Sequence, residues 1–276
     1  MCRWCITHGD GKIWYKNAKN YARRMYVRSR AERRSKSRSE GDNAIMGMLR
    51  DAAKKYGSDK WKVMQKMADK FFHTAHFGQV IPLEDAKIIL SSISWPIGKM
   101  SCVCLRRHRG MEGITDKEKT HCCIGLGVGM YKWERFPEMY KGGVEFLSSN
   151  EAIQMLEQVN QKGLVHSIWT FGTPYLGGLC NCEYPICLGL KGRLDYDIKI
   201  LIKGEYVAFI DHQKCNGCKI CMTRCQFGAI KYSPALEKCY IAAWNCYGCG
   251  LCQTKCKRDA IDLKVRSKIP ALKDVW

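Results

Sequence analysis

The chain has 276 residues, 46 of them Lys or Arg against 26 Asp or Glu, giving a formal charge of +20, and 46% are apolar, enough for one large or two modest packed domains rather than a disordered chain. No apolar run reaches the roughly 18 residues of a membrane span, and no apolar stretch follows the opening Met1-Cys2-Arg3-Trp4-Cys5. The 18 cysteines are therefore expected in a reduced, cytoplasmic setting, where thiols meet metal rather than each other.

Residues 1–41 read as a basic arm: eleven Lys or Arg and the single acid Glu32 fall within 12–38. Trp14, Ala18, Tyr21 and Met25 give its first half a narrow helical face, while the Arg-Ser-rich second half loses that period and reads as a linker or a partner-binding strap. Residues 42–204 follow as a mainly helical, loop-rich unit. Ile45, Met48, Leu49 and Ala52, then Trp61, Met64, Met67, Ala68 and Phe71, recur at helical spacing on either side of a break near Gly57-Ser58. Pro82 opens a short amphipathic helix carrying Leu83, Ala86, Ile89, Leu90 and Ile93 and ended by Trp95-Pro96. Ser148 and Glu151 form a capping box for a helix over 149–162, which Gly163 closes. Gly125, Gly127 and Gly129 lack the third glycine of a dinucleotide fingerprint, and beside paired cysteines they fit backbone approaching a metal centre. Alternation from Tyr196 to Ile210 around Lys203-Gly204 predicts a hairpin leading into residues 205–268, with 269–276 as a tail.

The strongest internal signal is a repeat. Cys215, Cys218, Cys221 and Cys225 are spaced C-x2-C-x2-C-x3-C, and Cys246, Cys249, Cys252 and Cys256 reproduce that spacing 31 residues later. Strand cues follow each copy at Gly228-Ala229-Ile230 and Asp259-Ala260-Ile261. Three cysteines two residues apart wrap one corner of a cubane, and the fourth points away toward a second cubane. Structural zinc needs no third and fourth cysteine at these intervals in both halves.

Residues 207–265 thus resemble a bacterial-type ferredoxin domain with two 4Fe-4S clusters. The resemblance implies that Cys215, Cys218, Cys221 and Cys256 hold one cluster, and that Cys246, Cys249, Cys252 and Cys225 hold the other. With the helical periods upstream, this gives an α+β chain: a mainly helical, loop-rich N-terminal and middle region followed by a ferredoxin-like 2x(4Fe-4S) domain. Where that family usually has proline after each fourth cysteine, this chain has Gln226 and Lys257. Residues 79–190 more distantly resemble a group of longer multi-cysteine ferredoxin-like proteins through Cys102-Val103-Cys104-Leu105-Arg106, Cys122-Cys123, Gly163-Leu164-Val165-His166, and Cys180-Asn181-Cys182 with Cys187. Glu183-Tyr184-Pro185-Ile186 stands where that group often has further cysteines.

Ten cysteines lie outside the two repeats. Cys102, Cys104, Cys122 or Cys123, Cys180, Cys182 and Cys187 are candidates for a third iron-sulfur cluster, with a zinc site or plain reduced thiols as the alternatives. Cys2 and Cys5, followed by His8, could supply two ligands to a fourth centre or to the same one. Cys239 reads as a spare, buried thiol, and His73, His76 and His166 as core histidines. No hydrolase triad order, Walker sequence or H-E-x-x-H is present.

The functional expectation is an electron-transfer protein, more a subunit or dedicated partner of a larger anaerobic oxidoreductase than a catalytic chain itself. It docks a redox partner through its basic surface. Lys214, Lys219, Arg224, Lys255, Lys257 and Arg258 around the repeats should shift cluster potentials upward. Two other readings stand beside this one: an enzyme with an open-site upstream cluster, and a nucleic-acid binder that uses Trp14, Tyr15, Tyr21 and Tyr26 of the basic arm as stacking platforms.

Overall fold

The computed structural model describes residues 58–93, 95–102, 104–105, 122–127, 144–171 and 176–276. The basic arm, Cys2, Cys5, His8 and the first half of the expected 42–72 helical segment lie outside the described residues. Helix α1 (Ser58–Ala75) is the first described element, and the anticipated break at Gly57-Ser58 falls at the edge of the described residues. It is tied to the 196–199 turn by Asp69, whose carboxylate accepts the Lys199 N–H at 2.7 Å. Phe72 is buried there with Ile198, whereas Met67 and Phe71, expected in the core, are exposed.

Helix α2 (Leu83–Ile88) runs on into a π-helical turn over Ile89–Ile93, as the apolar pattern required. Helix α3 (Ser149–Lys162) carries the full capping box: the Glu151 N–H donates to Ser148 Oγ, and the Ser148 N–H donates to the Glu151 carboxylate at 2.7 Å. The Ser148 hydroxyl, which donates to the same carboxylate at 2.6 Å, and then the Ser148 N–H hold the Glu151 carboxyl below its ordinary range. Gly163 closes the helix in the left-handed region at φ 93°.

The α+β reading holds, and among its described residues the middle region has more helix than strand. Beside the helices it carries a sheet that the sequence did not reveal, six-stranded among the described residues, wholly antiparallel and ordered β1-β5-β6-β3-β2-β4. The strands are β1 (Gly78–Val80), β2 (Ile97–Met100), β3 (Cys123–Leu126), β4 (Glu145–Leu147), β5 (Val165–Trp169) and β6 (Gly178–Cys182). They are three to five residues long, and β5 is buried at every position, so no polar alternation marks it in the sequence.

Side chains of one sheet face, among them Ile97, Ile124, Leu126, Ile168 and Leu179, pack with Ala86, Ile89, Leu90, Ala152 and Leu156 of the two helices. The opposite face turns Val165, Trp169 and Cys182 toward Leu190, Leu201, Tyr247, Cys249 and Leu251. Leu190 lies on helix α4 (Leu188–Leu194).

The expected hairpin around Lys203-Gly204 does not form. Strand β7 (Tyr206–Ile210) pairs instead with β10 (Ile261–Val265), beyond both cysteine repeats, because alternation reveals a strand and not its partner. Between them lie α5 (Ile220–Arg224) and the hairpin of β8 (Ile230–Ser233) with β9 (Lys238–Ile241). The strand cues after each repeat thus open β8 and β10.

Leu156 is fully buried between α3 and the sheet. Leu156→Ala should cost about 2–5 kcal/mol through lost burial and the cavity left behind, read as a lower urea midpoint at unchanged slope.

Candidate metal centres

Residues alternate faces along a strand, so Cys180 and Cys182 of β6 share one face, and Cys123 of β3 stands directly opposite Cys180. This is the face turned toward the C-terminal region. Cys102, just past the end of β2, closes over it: the Sγ atoms of Cys102, Cys122 and Cys123 lie within 4.8 Å of one another. Cys102 also contacts Cys104 and Cys182, Cys123 contacts Cys180, and Cys182 contacts Cys187 at the start of α4. The seven upstream thiols among the described residues therefore form one connected set, including both Cys122 and Cys123.

Crowded sulfurs cannot all ionise. Cys102 accepts from Cys104, Cys122, Cys123 and Cys182 and is held well below the thiol range. Contact with Cys102 pushes Cys104, Cys122, Cys123 and Cys182 up, and burial adds to the effect. Cys187 is lowered by Cys182, with the backbone N–H groups of Leu190 and Gly189 assisting. A metal entering this pocket would displace several thiol protons.

Behind the thiols lies a buried polar relay. His166 Nδ1 donates to Asn181 Oδ1 at 2.6 Å, Asn160 Nδ2 donates to His166 Nε2 at 3.0 Å, and Asn181 Nδ2 donates to the Cys122 carbonyl at 2.8 Å. His166 is thus a satisfied core histidine that steadies the Cys122 corner, and His76 is likewise paired, with Gln79. Burial, against the Asn181 bond, lowers the His166 pKa to about 4.

In the C-terminal region the two repeats share one local geometry. Cys215 Sγ accepts from the Gly217 N–H at 3.5 Å and Cys246 Sγ from the Gly248 N–H at 3.4 Å. Cys225 accepts from Ala229 at 3.2 Å and Cys256 from Ala260 at 3.4 Å. Both loop glycines have φ 70°, and a Cβ would fall 2.1 Å from the Glu237 carbonyl oxygen or 2.2 Å from that of Tyr206. Such N–H to sulfur bonds stabilise a more negative centre.

A cavity of about 340 Å³, counting its open mouth, is lined by Cys246, Cys249 and Cys252 of the second repeat together with Cys225 of the first. Cys225 also acts electrostatically on all three. Burial pushes Cys249 up to about 12 and raises Cys246 and Cys252. Four thiols around one cavity, with backbone donors to the sulfurs, suit a cubane. Cys215 and Cys218 bear on Cys221, and Cys256 packs in the same apolar cluster as Cys215 and Cys221. Cys239, expected to be a spare, is buried yet touches Cys221, which burial and this neighbour push up to about 12.

Residues 208–257, which hold all eight repeat cysteines, match the family model of the 4Fe-4S dicluster domain. This segment is of the 4Fe-4S type. It binds at least one 4Fe-4S cluster, and iron-sulfur electron transfer is the chemistry that the domain and the cysteine content support. Neither the curated proteins nor the solved structures gave a match to the chain. Among the described residues no helix is long and apolar enough to cross a membrane.

The surroundings of the two repeats differ. Cys218 is exposed, as are Lys214 and Lys219, whereas Cys246, Cys249 and Cys252 are buried. The cations closest to the buried repeat come from outside the motif and were missed in the sequence. Arg266, fully buried, donates to the carbonyls of Gly204, Tyr206 and Cys246. Lys203 donates to the Trp244 carbonyl and lies 5.6 Å from the Tyr247 ring centre. Burial, then Arg266 and Arg193, lower the Lys203 pKa to about 8. Of the cations expected to act on the clusters from the surface, Arg224 and Lys255 are bonded to α3 instead.

Two outcomes follow from these groups. The folded pKa of His166 lies below the unfolded 6.5, so its contribution is complete above that value and is lost as pH falls from 6.5 toward 4, on the order of 3 kcal/mol in all. Denaturation of the wild type and of His166→Gln across this window should show the flatter dependence in the variant. Lys203→Met removes a buried positive charge and should lower the more positive of the resolved midpoint potentials by roughly tens of millivolts in a redox titration, with the exposed Lys257→Met as the near-silent control.

Proposed function

We propose that this chain is an electron-transfer protein with two 4Fe-4S clusters in its C-terminal region and a third in the upstream thiol pocket, acting as a subunit or dedicated partner of a larger oxidoreductase. The ligand sets are Cys215, Cys218, Cys221 and Cys256 for one cluster, and Cys246, Cys249, Cys252 and Cys225 for the next. The third draws on Cys102, Cys104, Cys122, Cys123, Cys180, Cys182 and Cys187. The observation that carries this reading is the crossing of Cys225 from its own repeat into the cavity of the other. When bound, such clusters exchange single electrons.

The polypeptide does the rest. Backbone N–H groups of residues 217, 229, 248 and 260 point at the sulfurs and offset their charge. Val80, Leu201, Tyr247 and Leu251 exclude water from the second repeat. The exposed loop around Cys218, flanked by Lys214, Lys219 and Ile220, is the docking port for an acidic redox partner. Seven thiols in the upstream pocket exceed what one cubane needs, which favours full thiolate ligation over an open substrate-binding iron.

Protein purified without oxygen should contain about twelve iron and twelve acid-labile sulfide per chain, falling to about eight of each in Cys102→Ser/Cys182→Ser. Zinc without sulfide in the wild type would overturn the reading. Charge reversal at Lys214 and Lys219 should slow reduction by an acidic partner, and more so at low salt than at high salt.

A further inference from the structure

We propose that Gln226 is a positioning residue that holds the Cys225 loop against the upstream thiol site, so that the second-repeat cluster site, and not the first, communicates with that site. This rests on the three-cluster reading above and adds a wiring order to it: solvent port at Cys218, buried site at Cys249, upstream pocket.

Gln226 follows Cys225 directly and makes two bonds into the middle region. Its Nε2 donates to the Gly163 carbonyl at 2.6 Å, and its Oε1 accepts the Tyr184 N–H at 2.8 Å. Gly163 ends α3, and Tyr184 lies between Cys182 and Cys187 of the upstream pocket. One amide side chain therefore spans from a ligand loop of one thiol site to a ligand loop of the other. An aliphatic or proline side chain there could make neither bond.

Its neighbours reinforce the same contact. Arg224, on the other side of Cys225, donates to the carbonyls of Asn160 and Gln161 at 2.9 and 2.8 Å, where the end of α3 concentrates partial negative charge. Lys255 donates to Gln161 Oε1 at 2.7 Å. Phe227 stacks on Tyr247 with ring centres 4.0 Å apart and planes 7° from parallel. Phe227, Tyr247 and Cys249 belong to one apolar cluster that also contains Cys182 and Cys187. The equivalent position in the second repeat, Lys257, is exposed. Of the two residues that follow the fourth cysteines, Gln226 bonds the middle region and Lys257 is exposed.

The test uses the full chain, reconstituted without oxygen, as wild type, Gln226→Leu, Gln226→Glu and Lys257→Leu. Glutamate keeps the acceptor for Tyr184 and loses the donor to Gly163. Gln226→Leu should keep the wild-type iron and sulfide content and lose the spin–spin interaction between the upstream centre and the second-repeat cluster, while that between the two C-terminal clusters persists, in the EPR spectrum of the fully reduced protein. Gln226→Glu should retain part of that interaction, and Lys257→Leu all of it. Independently of any metal, the Tyr184 amide should exchange its hydrogen about fivefold faster in Gln226→Leu, the loss of roughly one hydrogen bond. A wild-type interaction unchanged in Gln226→Leu at full cluster content would overturn the positioning role alone. A wild type with no upstream paramagnetic centre, read from its iron and sulfide, would overturn both this and the three-cluster reading.

Discussion

Alternation along two adjacent antiparallel strands puts Cys123, Cys180 and Cys182 on one face of a sheet, and the rest of the arrangement depends on what that face packs against. The other face is filled by α2 and α3 with ordinary aliphatic contacts. The thiol face, to which Trp169 of β5 also belongs, is covered by α4 and the second cysteine repeat, so two groups of sulfurs from distant parts of the chain share one dry layer. Burying that many thiols raises the cost of ionising most of them. A metal centre bound there, as proposed, would relieve this by replacing protons with iron and would couple the packing of the layer to its loading.

The same layer makes two chemically equal repeats unequal. Gly217 and Gly248 turn identically and the sulfur hydrogen bonds repeat almost distance for distance, so the difference between the halves is not local. It comes from packing on the middle region: the second repeat, with its own Leu251, is buried against Val80 of the sheet and Leu201, while the loop of Cys218 faces water. Burial also changes which charges matter. Arg266 and Lys203 sit in low-dielectric surroundings near Cys246, where a cation acts more strongly than one in water. Arg224 and Lys255 are used internally, as clamps on the end of α3.

The sequence by itself determined the features whose information is local. The eight-cysteine spacing, the Ser148–Glu151 capping box, the Gly163 stop and the helix opening at Pro82 each need only a few neighbouring residues, and each stands in the structure as read. Tertiary structure decided everything that required a partner. The strands of the middle sheet are too short and too buried to show alternation, β7 finds its partner more than fifty residues away, and Met67 and Phe71 lie outside the core despite their helical spacing. The upstream cysteines were visible as candidates, but only strand register could bring Cys123 beside Cys180 and set Cys102 over both. Gln226 could be seen as a departure from proline, yet its partners Gly163 and Tyr184 are 63 and 42 residues distant. A spacing motif encodes how a loop wraps its own ligand; which other loop it faces is set by packing between segments, and that is a property of the whole fold.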